Sequence, residues 1–298
     1  IKLILDSIAA SKKGVPCTGY YKGAGTGHFV KMIHNGIEYA EMQIIAEAFS
    51  FLKSSNFSNP KISDFFKSLA DINQSSYLIE ITSKILKKEI DGAYLIDKID
   101  SKANHKGTGK LTIETALKYG FPLPSIFSAF NARVESHYQN IFLQNYDKLD
   151  AKVETNKLTN AIYFSRLTSM LQGLMFIEFL SNNNSYDIKT KNILNNWAAG
   201  CIIRSELLTE LTNLCDEKGM LDINKVQKLL AIYFEDTKEI VKDAISYNIP
   251  LQVISSSLNW YLNLTSDFNP SNLIQAQRDY FGAHQVQLIG SQDFLHFE

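Results

Sequence analysis

Apolar residues recur at spacings of three and four along most of this chain, which predicts amphipathic helices throughout and an all-α fold. A short opening helix over Ile1–Ala10 is broken by Gly14-Val15-Pro16-Cys17-Thr18-Gly19, and Gly23-Ala24-Gly25-Thr26-Gly27 forms a loop. A long helix is expected from about His28 to Leu52, closed by the turn formers of Ser54–Pro60, with further helices at Ile62–Leu69 and Ser76–Lys87. Residues 96–110 mix charge with glycine, and Lys106-Gly107-Thr108-Gly109-Lys110 reads as a loop running into a helix at Thr112–Tyr119. Phe121-Pro122-Leu123-Pro124-Ser125 is a stop followed by an N-cap, and a helix over Ile126–Leu143 leads into a polar stretch, Gln144–Thr155. The second half predicts a long apolar helix at about Leu158–Leu180, another around Ile193–Leu214 and three more up to Leu264. Both halves therefore open on a long, strongly apolar helix. After Asp267-Phe268-Asn269-Pro270-Ser271, the segment Asn272–Gln285 sets Gln275, Gln277, Arg278, Asp279 and His284 among aromatics, the composition of a tail that docks rather than frays.

One helix departs from the usual surface pattern. Lys31, His34, Asn35, Glu38 and Tyr39 fall at i, i+3, i+4, i+7 and i+8, so five functional groups share one face. The other positions are Phe29, Met32, Ile33, Ile37, Ala40, Ile44 and Ile45, the composition of a buried helix with a polar cleft along one side. An ordinary helix with such a stripe would be solvated and would pair Lys31 with Glu38. Beside apolar surface, however, a lysine loses hydration in its charged form and can serve as a general base near neutral pH. A shielded carboxyl is pushed the other way and can hold a proton as a general acid. Seven residues put these two groups roughly 10 Å apart along the helix axis, room for a small polyol acid between them. The preceding GxGxG loop lacks the βαβ context of a dinucleotide fingerprint. Glycines that let backbone approach a ligand at a helix N-terminus account for it better.

Composition narrows the choice of partner. With 298 residues and 45% hydrophobic content the chain can bury a sizeable core, and a net charge of −1 gives no general attraction to nucleic acid or anionic membrane. Apolar runs stay short of the roughly 18 residues that span a bilayer, so a cytoplasmic protein is expected. Cys17, Cys201 and Cys215 lack CxxC spacing, which points to buried thiols rather than a disulfide framework or a zinc site.

Gly27-His28-Phe29-Val30-Lys31-Met32-Ile33-His34-Asn35-Gly36-Ile37-Glu38-Tyr39 closely resembles the signature of 6-phosphogluconate dehydrogenases. Two further blocks resemble the same family in the same order, Lys106–Lys110 and Gln275-Ala276-Gln277-Arg278-Asp279-Tyr280-Phe281-Gly282-Ala283-His284, with weaker similarity at Ser76–Thr82 and Gly200–Ser205. The resemblance implies oxidation of the 3-hydroxyl of 6-phosphogluconate with NADP, then loss of carbon dioxide to give ribulose 5-phosphate, without a metal. It implies that Lys31 takes the hydroxyl proton and Glu38 protonates the enediol. His34 and Asn35 would position the substrate, with Asn35 also near the nicotinamide. Tyr39, Lys106, Thr108 and Arg133 would hold the phosphate, and Arg278 and His284 would reach the pocket from a partner subunit's tail in a homodimer. Taken alone, Lys106–Lys110 is a surface turn and Arg133 a surface arginine. Together they suit a dianionic phosphate, which calls for several cationic and hydroxyl donors.

Two departures from the family pattern are visible: Ala40 stands where glycine usually follows Glu-Tyr, and Trp197-Ala198-Ala199-Gly200 replaces Trp-Arg-Gly-Gly. The resemblance also implies an N-terminal Rossmann domain that binds NADP, which these residues do not supply. Because Ile1–Ala10 reads as a helix already under way, further chain is expected before it. The expected organisation is a remnant of that domain's end at 1–18, an all-helical substrate-binding and dimerisation domain at 19–264, and a tail at 265–298 that docks on the partner subunit. The rival expectations are a non-catalytic helical dimerisation or sugar-phosphate-binding module of the same fold, and a related β-hydroxyacid dehydrogenase acting on an unphosphorylated substrate.

Overall fold

The computed structural model describes residues 1–12, 14–138, 141, 150–184 and 186–297. The fold is all-α. Its helices are α1 (Lys2–Ile8), α2 (Thr26–Ser54), α3 (Asn59–Ser68), α4 (Tyr77–Ile85), α5 (Thr108–Tyr119), α6 (Pro124–Glu135), α7 (Thr155–Asn183), α8 (Thr190–Ala198), α9 (Glu206–Asn213), α10 (Ile223–Ser246), α11 (Gln252–Thr265) and α12 (Ser271–Gly282). Among the described residues the strands are three antiparallel pairs, Ser11–Lys12 with Val15–Pro16, Glu89–Ile90 with Ala93–Tyr94, and Val286–Gln287 with Phe294–Leu295. Two compact units divide the chain, Ile1–Leu258 and Asn259–Glu298.

The first unit is organised on its two longest helices. α2 and α7 each run 29 residues and pack on one another, with α5 and α6 also on α2 and α10 also on α7. α7 is buried almost all round, from Leu158 to Ser181, as a central core helix should be. Close approach of the two helices depends on Gly173: a Cβ there would fall 2.6 Å from Ile37 Cδ1 and 3.0 Å from Ile33 Cγ2. Local sequence sets the ends of the others. Ser58 caps α3 through the Lys61 amide, Ser76 caps α4 through that of Ile79, and Asp222 caps α10 through that of Lys225.

Several boundaries differ from the sequence expectation. α2 begins at Thr26 rather than His28, so Thr26 and Gly27 belong to its first turn. α5 likewise starts at Thr108, taking Thr108–Lys110 out of the expected loop. The single helix expected at Ile193–Leu214 is two, α8 and α9. Between them Gly200 presses on Ala10, where a Cβ would meet the Ala10 Cβ at 2.7 Å, and the Tyr77 amide donates to the Arg204 carbonyl at 3.1 Å. Two helices rather than three follow to Leu264, because 223–246 holds neither Gly nor Pro and α10 runs unbroken. α6 ends at Glu135 and is followed by one 3-10 turn, Ser136–Tyr138. Of the rest of the helix expected to Leu143, residues 139, 140, 142 and 143, and of the polar stretch residues 144–149, lie outside the described residues. The three thiols are free and half-buried rather than buried; Cys17 donates to the Asn196 carbonyl, Cys201 to Trp197 and Cys215 to Leu211. Among the described residues no helix is long and apolar enough to cross a membrane.

Candidate active site on helix α2

The polar stripe on α2 is one connected group. His34 is buried at 1% exposure, and its Nδ1 lies 3.0 Å from Lys31 Nζ, 3.2 Å from Asn35 Oδ1 and 4.0 Å from Glu38 Oε2. One imidazole nitrogen thus links the lysine to the carboxylate, closer together than the roughly 10 Å rise between their backbones. The ring of His34 is walled by Trp197 at the end of α8, with centroids 5.5 Å apart at 78°. Burial, with the neighbouring Lys31 charge, pushes the His34 pKa down to about 4 against an opposing hydrogen bond that the charged ring would donate to Asn35 Oδ1, so the imidazole is neutral at physiological pH. Burial raises the Glu38 carboxyl above the usual range, although Lys31 and Arg133 both pull it down. A half-buried carboxyl poised this way is suited to donate a proton. Lys31 is exposed, so the dehydration expected for it is not supplied by the surrounding described residues.

One turn further, Tyr39 organises a second cluster. Its ring is buried at 5% exposure, with the Arg133 guanidinium from α6 lying over it, Cζ 3.6 Å from the centroid. Gly109 of α5 meets the same ring so closely that a Cβ there would fall 2.6 Å from Tyr39 Cε1. Only a residue without a side chain fits, and this approach brings the exposed Thr108 to the cluster. The α5 start is anchored on α2 by the Thr112 hydroxyl, which donates to the Met32 carbonyl at 2.8 Å and to the Thr108 carbonyl at 3.2 Å. Lys106, two residues earlier, is exposed on the entering loop. Arg133 also reaches Met42, Nη2 to Sδ 3.2 Å.

Behind this face α2 is tied to α7 by charge. Glu41 and Arg166 are buried at 0% and 1% exposure with Arg166 Nη2 3.6 Å from Glu41 Oε2, and Arg166 Nη1 donates to the Gln74 carbonyl at 2.9 Å. Burial holds the Glu41 carboxyl above its usual range, with Arg166 opposing. Sequence reasoning missed Trp197, Thr112, Glu41 and Arg166. Trp197 was visible only as part of a departure from a family pattern, and the other three sit in helices whose apolar period hides them.

The second unit has its own order. Asp279 on α12 is fully buried and receives the amides of Gln285 at 2.6 Å and Phe297 at 2.9 Å and the His296 ring at 3.0 Å. Arg278 donates to Gln275 Oε1 at 3.0 Å, and His284 packs edge-on against Phe281. Both residues are exposed within this unit. Among the described residues no group of three or more His, Cys, Asp or Glu side chains is arranged to hold a metal ion.

Residues 27–298 match the family described as 6-phosphogluconate dehydrogenase, C-terminal domain. The chain is 37% identical to a 6-phosphogluconate dehydrogenase, decarboxylating, of Lactococcus lactis subsp. lactis, with 99% of this chain and 66% of the relative covered. It is 36% identical to the protein of the same name from Escherichia coli K12, with the same coverage. A solved Plasmodium falciparum 6-phosphogluconate dehydrogenase, studied apo, with its cofactor NADP+ and with its substrate 6-phosphogluconate, superposes with a TM-score of 0.88 at 34% identity. That alignment covers 99% of this chain and 67% of the Plasmodium one. The chain thus spans about two thirds of the length of the relatives it matches.

Proposed function

Because the chain belongs to the 6-phosphogluconate dehydrogenase family through that family's C-terminal domain, we propose that it forms the substrate-binding and proton-transferring part of an enzyme that converts 6-phosphogluconate to ribulose 5-phosphate. The observation that carries this reading is the pairing on α2 of Lys31 and Glu38 across His34, beside a Tyr39–Arg133 cluster one turn on.

In this reading Lys31 Nζ takes the proton of the substrate's 3-hydroxyl as hydride leaves the same carbon. Loss of carbon dioxide from the resulting 3-keto acid gives an enediol, and the Glu38 carboxyl returns a proton to its carbon. The raised Glu38 pKa supports that role, since a larger fraction carries the proton near neutrality. His34 and Asn35 hold the sugar hydroxyls, while Tyr39, Lys106, Thr108 and Arg133 hold the phosphate. Arg278 and His284 of a second copy complete the pocket in a homodimer whose tails are exchanged. NADP, when bound, supplies the hydride acceptor. Asn35, half-buried at the cleft, has a carboxamide that suits one edge of a nicotinamide, but the strands described here are isolated antiparallel pairs. The dinucleotide is therefore held mainly by a domain outside these residues. A cytoplasmic location goes with this reading.

The complete polypeptide, given 6-phosphogluconate and NADP, should produce NADPH and carbon dioxide. Gluconate, which lacks the phosphate, should be turned over far less efficiently. Equal turnover of the two would instead favour a β-hydroxyacid dehydrogenase of unphosphorylated substrates, and the absence of both turnover and 6-phosphogluconate binding would leave a dimerisation module of the same fold.

A further inference from the structure

We propose that Trp197 is a positioning residue for Lys31, holding His34 in the tautomer that carries its proton on Nε2 and presents the Nδ1 lone pair to the lysine. The two ring nitrogens of His34 meet different surroundings. Nδ1 lies 3.0 Å from Lys31 Nζ, a group with N–H bonds to give whether it is charged or neutral. Nε2 is buried and has no hydrogen-bond partner among the described residues. The two rings are closed off together, His34 at 1% and Trp197 at 4% exposure, in a T-shaped contact that fixes the imidazole plane.

An imidazole exchanges its proton between nitrogens only through a partner at each. No described group at Nε2 can take or give one, so the tautomer is set when the ring is buried. Lys31 Nζ has N–H bonds to give in either state, so Nδ1 accepts and the one proton of the neutral ring falls to Nε2. The proton therefore sits on Nε2 and Nδ1 is always the acceptor. Asn35 Oδ1 lies 3.2 Å from the same nitrogen, so this tautomer requires the carboxamide turned over to place its NH2 there. The consequence falls on the lysine. With one N–H held by Nδ1, the lone pair of a neutral Lys31 amine is turned to the exposed side of the cleft, where a ligand hydroxyl arrives. Trp197 belongs to α8, more than 160 residues from Lys31, and is anchored there in part by the Cys201 thiol, which donates to its carbonyl at 3.0 Å.

The kinetic consequence rests on the proposed role of Lys31 as the base, but the tautomer does not, and the two are tested separately. In the complete polypeptide labelled with 15N at histidine, with the His34→Asn variant used to assign the signal, His34 should show a protonated Nε2 and an unprotonated Nδ1 throughout the neutral range. A protonated Nδ1, or a signal averaged between tautomers, would overturn the proposal without touching the proposed function. Trp197→Phe should keep the 15N pattern and most of kcat. Trp197→Ala should lose the fixed pattern and lower kcat by about tenfold to a hundredfold with KM for 6-phosphogluconate little changed, as expected when a reacting group is misplaced by about an ångström. A Trp197→Ala enzyme with normal kcat, or with reduced kcat but an unaltered 15N pattern, would also overturn it. If that variant does not fold, the native pattern and Trp197→Phe still decide.

Discussion

The guanidinium of Arg133 lies over the Tyr39 ring, Cζ 3.6 Å from its centroid, while Gly109 closes on the same ring. Three helices meet at one phenol, and the guanidinium is held over it with Nη2 donating to the Met42 sulfur at 3.2 Å. Lysine can replace the charge but neither the stacking nor the bidentate geometry. Arg133→Lys in the complete polypeptide should therefore raise KM for 6-phosphogluconate by roughly tenfold to a hundredfold, the worth of a charged hydrogen bond, with a much smaller change in kcat. Steady-state kinetics check this. Gly109→Ala should move KM the same way, since its Cβ would strike a ring already covered by Arg133.

A second prediction concerns the buried pair behind the site. Glu41 and Arg166 are both fully enclosed, 3.6 Å apart. Removing one partner leaves the other uncompensated, so Arg166→Met should destabilise the fold by about 3–5 kcal/mol. The double variant Glu41→Leu with Arg166→Met should recover most of that loss, because the isolated charge is then gone. Denaturant unfolding of the single and double variants measures both.

The third prediction is a pH dependence. Glu47 is buried at 2% exposure, and its carboxylate receives the Val253 amide at 2.8 Å and the Ile254 amide at 3.0 Å at the start of α11. Burial nonetheless dominates these hydrogen bonds and raises its pKa to about 7. The folded state therefore binds this proton more tightly than the unfolded chain does. Its contribution is fully present below the ordinary value of 4.5 and is lost as pH rises through about 7. Glu47→Gln should flatten the fall in stability across that window by on the order of 2–3 kcal/mol. Thermal or urea unfolding of both proteins over the window would show it, and an unchanged slope would contradict it.

The long helices α2 and α7 were legible in the sequence because periodicity over seven or more turns outweighs any local ambiguity, and the α2 stripe was legible because polar groups on an apolar helix stand out. The break between α8 and α9 was not. It is set by the tertiary contact of Gly200 with Ala10 and by the Tyr77–Arg204 hydrogen bond, neither of which leaves a local turn signal. The same limit hid Trp197, whose meaning comes from lying beside a histidine on another helix. The desolvation of Glu38 followed the expectation from its apolar helix, whereas Lys31 is exposed in the structure, because a helix pattern specifies a face but not what covers it.

The central claim is that α2 carries the proton-transferring pair, and Lys31→Met in the complete polypeptide tests it most directly. Methionine keeps the length and apolar stem of lysine while removing the amine. NADPH formation should fall by about 10²–10⁴-fold, the usual worth of a general base, while 6-phosphogluconate still binds within a few-fold of normal by calorimetry. A Lys31→Met enzyme whose turnover stays within about tenfold of the unsubstituted enzyme, below the range expected for a lost base, would contradict the account.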